Sequence, residues 1–118
     1  KMRHLQLEQN LTKKNVEHDL LLRELDTIQV KGRTQGSEIF EVMAEKKNAL
    51  QEQNKIKTEY EAALSLYRKG EFNEAEEAFN SLHNASNDIP SKNMVARCQG
   101  YIASPPENWV GIAVMKEK

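Results

Sequence analysis

Apolar positions change their spacing along the chain, and each change predicts a new element. Across residues 3–22, Leu5, Leu7, Leu11, Val16, Leu20, Leu21 and Leu22 keep part of a helical spacing. They predict an N-terminal helix weakened around Asn10, Thr12 and Asn15. Residues 23–31, RELDTIQVK, then alternate and are enriched in β-branched side chains, the pattern of a strand. Gly32 and Gly36 bracket the polar tip RTQ and supply the positive φ of a turn. The following SEIFEVM, with Ile39, Phe40, Val42 and Met43, completes an antiparallel hairpin. A lone hairpin is marginal in water, so this one has to join a larger sheet or lie on helices.

Residues 44–69 contain neither glycine nor proline and predict a long helix. Ile56, Tyr60, Ala63, Leu64 and Tyr67 form its buried stripe, and Gly70 stops it. A second helix follows, with Asn73 as its cap, Glu76 three residues on, and Phe72, Ala75, Phe79 and Leu82 facing inward. Ser91 caps a third helix whose stripe is Met94, Val95, Cys98, Tyr101 and Ile102; Pro105 and Pro106 end it. The tail WVGIAVMKEK is short and apolar, as expected of a docked extended segment. The fold class is therefore mainly α with a small β-hairpin (α+β): helix, hairpin, then an antiparallel helical tail. The expected division is 1–44 and 45–118.

In the helical half, YEAALSLYRKGEFNEAEEAFNSL resembles one tetratricopeptide repeat through Ala63, Tyr67, Gly70, Phe72, Ala75 and Phe79. Small alanines let two helix backbones approach while the aromatics fill the flanks. A single repeat leaves an apolar face that has to pack on something else, and we read it as a structural appendage rather than a peptide-binding groove.

Composition narrows the classes. With 118 residues, 38% hydrophobic, the chain suits at most one small domain. A net charge of −1 gives no electrostatic footprint for nucleic acid or an anionic membrane. No apolar run approaches the ~20 residues of a membrane span, and KMRHLQLEQN lacks the apolar core of a signal peptide. The single cysteine, Cys98, excludes an internal disulfide and suits a reducing, cytoplasmic setting. The chain opens Lys1-Met2, as a piece of a longer protein or a processed product would.

LLLRELDTIQVKGRTQGSEIFEVM resembles the closing strands of class III nucleotide cyclase catalytic domains. Arg23, Leu25, Asp26, Val30, Lys31, Gly32, Phe40, Glu41 and Val42 occupy the family's positions. The tail resembles the C-terminal extension of bacterial adenylate cyclases, through Pro90, Ser91, Arg97, Cys98, Pro105, Pro106, Trp109 and Gly111. Two segments match in the family's order, over roughly residues 19–118. The resemblance implies conversion of ATP to cyclic AMP and pyrophosphate with two Mg²⁺ or Mn²⁺ ions, at an interface between two catalytic domains. It also implies that Lys31 reaches the nucleotide phosphates, for which a lysine is a suitable point charge.

The departures are as informative. The family's two metal-binding aspartates, its base-recognising pair and its asparagine–arginine pair lie on strands that would precede the hairpin, and residues 1–18 are too few to hold them. Val110 replaces an aspartate common in the tail motif. The chain alone is therefore expected to be inactive, with the remainder of a catalytic domain or a homodimer partner as its complement. Its alternative reading is a non-catalytic helical module for protein interaction or dimerisation. His4, His18 and His83 show no metal-ligand spacing, no GxxxxGK[ST] loop is present, and the carboxylates of EAEEAF read as a solvated face.

Overall fold

The fold was analysed in a computed structural model that describes residues 3–7, 19–30 and 36–115. Its elements are strands β1 (Arg3–Leu7), β2 (Leu20–Val30) and β3 (Ser37–Glu45), helices α1 (Gln51–Arg68), α2 (Phe72–Ser86) and α3 (Ile89–Ala103), and strand β4 (Ala113–Met115). The described residues are thus mainly helical with an antiparallel β2–β3 hairpin, as the pattern predicts. Two compact units divide the chain: residues Lys1–Lys57 with Ile112–Lys118, and residues Thr58–Gly111.

In the first unit the strands run in the order β1-β3-β2-β4, so the hairpin does join a larger sheet. β1 lies antiparallel to β3, and β4 runs parallel to β2. The expected N-terminal helix is corrected here. Residues Arg3–Leu7 form a strand in register with β3, and β2 already begins at Leu20. The two-residue spacing of Leu5 and Leu7 is that of a strand, and in Leu20-Leu21-Leu22 both Leu21 and Leu22 are buried. The intervening part of that helix lies outside the described residues.

Leu22 and Phe40 make the apolar cluster of the sheet, with Leu20 and Val42 packed against them. The helix expected from residue 44 starts at Gln51 instead. Pairing of β2 with β3 continues to Leu20 and Glu45, and the Lys46 N–H donates to the Asp19 carbonyl at 2.9 Å, which keeps this stretch extended. A 3₁₀ turn over Lys46–Asn48 then redirects the chain. In the first turn of α1, the Gln53 side chain accepts from the Leu50 N–H at 2.8 Å.

The second unit packs the rest of α1 against α2 and α3. Tyr60, Ala63, Leu64, Tyr67, Ala75, Phe79, Leu82, Met94 and Cys98 are buried; of the other stripe positions expected from sequence, Ile56, Phe72, Val95 and Tyr101 are half-buried and Ile102 is exposed. Tyr60 meets Phe79 edge-on, with ring centroids 5.0 Å apart. Two caps differ from expectation. α2 begins at Phe72 with Glu71 as its N-cap and no side-chain cap bond, so Asn73 already lies inside the helix. α3 is capped by Asp88, whose Oδ2 accepts from the Ser91 N–H at 3.2 Å and the Ser91 hydroxyl at 2.6 Å, with Pro90 in the first turn. Ser91 is the partner of the cap rather than the cap: the helix begins at Ile89 with Pro90 second, where the N–H that proline lacks would have no intrahelical acceptor, so the cap falls at Asp88.

Candidate functional site

The candidate site is the β2–β3 hairpin, whose strands are joined by residues 31–35. Lys31, the residue expected to meet nucleotide phosphates, lies outside the described residues, as do Gly32 and Arg33. The strands that lead to it are defined. At its C-terminal end β2 is held on both sides, by Ser37 of β3 opposite Ile28 and by β4 along Ile28–Val30. Gly36 opens the return strand with no positive φ among its features; its requirement is space, since a Cβ there would meet Thr27 Cγ2 at 2.9 Å.

Further back, Arg23 and Glu41 face each other in register and are both 1% exposed. The Arg23 Nε–H donates to Glu41 Oε1 at 2.9 Å, and the terminal guanidinium nitrogen Nη2 donates to the same oxygen. Neighbouring residues alternate faces, so this ion pair lies on the side of the sheet opposite the Leu22–Phe40 cluster. Glu41 Oε2 is also buried and has no hydrogen-bond donor among the described residues. The register shifts between Glu24 and Asp26, and buried Asp26 accepts the Thr27 N–H at 2.8 Å through Oδ1, satisfying a backbone donor beside the irregularity.

The residues that carry the resemblance thus hold scaffold positions. Arg23 and Glu41 form the cross-strand pair, Leu25 and Phe40 are core, and Asp26 serves the bulge. In the helical unit Arg97 donates to the Tyr67 hydroxyl at 3.4 Å, and Cys98 is buried. Burial pushes the Cys98 thiol up to about 11, Glu76 adding to the rise and Arg97 opposing it. The Trp109 indole N–H donates to the carbonyls of Tyr67 and Arg68, at 3.2 and 3.1 Å. Sequence reasoning missed this last interaction, and the signal that points to it is the glycine on each side, Gly70 after the helix and Gly111 after the tryptophan.

A pair of Mg²⁺ or Mn²⁺ ions does not fit the residues present: among those described, no group of three or more His, Cys, Asp and Glu is placed to hold a metal. No described helix is long and apolar enough to cross a membrane. No family model matches the chain, and neither a curated protein nor a solved structure does.

Proposed function

We propose that this chain is the C-terminal portion of a class III nucleotide cyclase, with its hairpin closing the catalytic sheet and its helices forming the extension. The observation that supports the reading is the β2–β3 hairpin, in which Arg23 and Glu41, two of the matching residues, pair while buried at the centre of the four-stranded sheet. Self-closure of the helical unit around Trp109 supports the second matching segment in the same way. In this reading the metal aspartates and base-recognising groups come from a preceding part of the catalytic domain or from a second catalytic domain, and Lys31 supplies a phosphate contact. The parent reaction is ATP to cyclic AMP and pyrophosphate, in the reducing cytoplasm that the lone Cys98 thiol suits.

The test is the coding sequence upstream of Lys1. A continuous frame encoding strands that bear two metal-binding aspartates is the expected result; a stop codon immediately upstream overturns the reading. In the longer protein, Lys31→Ala removes one charge-assisted contact of about 1.5–3 kcal/mol and lowers cyclase activity by about ten- to a hundredfold. A second reading, a non-catalytic interaction module, is favoured by the closure of the unit Thr58–Gly111 on its own core. It predicts that this chain retains a binding partner with no cyclase attached.

A further inference from the structure

The turn of the β2–β3 hairpin stands on two legs, and one short segment of the first unit touches both. Among the described residues, the pairing of β2 with β3 runs as far as Ile28 opposite Ser37. From there β4 accompanies β2 on its other side, with Ala113, Val114 and Met115 in register with Ile28, Gln29 and Val30. Val30 is the residue before Lys31. The first leg is therefore supported up to the residue that precedes the candidate phosphate contact.

The second leg opens at Gly36, and Ile112, one residue ahead of β4, reaches it. A Cβ at Gly36 would stand 2.9 Å from Thr27 Cγ2 and 3.6 Å from Ile112 Cδ1. Thr27 and Ile112 thus border the space that a side chain at Gly36 would take. Gly36 is outside the left-handed region, so its glycine is explained by this close approach. Ile112 is half-buried and Ala113 after it is 2% exposed, so the segment is seated on the sheet. A β-branched side chain suits such a brace, because its χ1 has few alternatives. Backbone pairing holds one leg and the Ile112 side chain meets the other, and both come from the four residues Ile112–Met115.

We infer that Ile112 is a positioning residue for the hairpin turn: with β4 it holds Val30 and Gly36, which flank residues 31–35, and so sets where Lys31 leaves β2. The effect on substrate rests on the proposed role of Lys31 as a contact to nucleotide phosphates, and Ile112 acts on that substrate only through Lys31.

The experiment begins with amide hydrogen exchange in the full chain, comparing wild type, Ile112→Ala and Ile112→Val. Ile112→Ala should quicken exchange at Ile28, Gln29, Val30 and Ser37 by about tenfold, and leave Leu22, Arg23, Phe40 and Glu41 within about twofold of wild type. Ile112→Val should return the legs to near the wild-type rates. In the longer protein that the cyclase reading requires, Ile112→Ala should raise the KM for ATP by about three- to tenfold with kcat nearly unchanged. In a Lys31→Ala background the same substitution should change KM by less than about twofold, because the group it acts through is gone. Unchanged exchange at the legs in Ile112→Ala overturns the inference. So does equal quickening across the whole sheet, or an effect on KM that is as large without Lys31 as with it. A longer protein with no cyclase activity would sink the cyclase reading instead, and the exchange rates of this chain would still decide whether Ile112 holds the legs.

Discussion

At the residue scale the ion pair of Arg23 and Glu41 is the feature with the largest consequence. Both side chains are 1% exposed, so neither charge recovers hydration when its partner is lost. Arg23→Ala should therefore destabilise the first unit by about 3–5 kcal/mol, read as a lower urea midpoint. Arg23→Met combined with Glu41→Leu removes both charges and should recover most of that loss, since an apolar pair of similar size often replaces a buried ion pair without cost. Recovery of nothing in the double variant would show that the damage is steric. Cys98 gives a second residue-scale expectation with a definite sign. Its thiol rises from 9.0 to about 11 in the fold, so the unfolded chain ionises first as the pH climbs. The stabilisation is complete below pH 9 and is lost between there and about 11, and helix content followed by circular dichroism during urea titrations should show the second unit weakening across that window.

At the element scale, the caps and stops decide where helices begin and end. Asp88 holds the start of α3 through Ser91, and Asp88→Ala should cost about 0.5–2 kcal/mol, whereas Asn73→Ala should cost little because Asn73 caps nothing. Gly111 at φ 88° comes so close to α1 that a Cβ would meet the Arg68 carbonyl oxygen at 3.2 Å; Gly111→Ala should lower the thermal midpoint by several degrees. These positions also show what could be read without coordinates. The stripe Tyr60, Ala63, Leu64, Tyr67 was legible because several turns repeat one period, and the hairpin because alternation runs on both sides of a glycine-flanked tip. The strand Arg3–Leu7 was not, since five residues hold only the spacing of Leu5 and Leu7, and a helix tolerates two leucines that close. Nor was the pairing of Arg23 with Glu41, which follows from the register; the sequence marks both residues but leaves their partnership open.

At the scale of the whole molecule, the first unit is assembled from distant parts of the chain while the second is continuous. β4 returns to pair with β2 after the entire helical unit has intervened, placing Ala113 opposite Ile28 with Ala113 only 2% exposed. Such non-local pairing closes a long loop before any contact repays the lost entropy, whereas the helical unit forms from neighbours in sequence. The parallel strand is also just the three residues Ala113–Met115, too short to hold without the sheet it completes. Truncation after Gly111 should therefore act on one unit only. Hydrogen exchange should quicken at Ile28, Gln29 and Val30, the residues that β4 flanks, and amides of α2 and α3 should keep their protection because every residue of the unit Thr58–Gly111 is retained. Equal loss of protection in both units would mean that they unfold as one cooperative body, and β4 would then be a support for the helices as much as for the sheet. Loss in neither would mean that β2 is held by β3 alone, leaving the end of the strand that leads to Lys31 fixed from a single side.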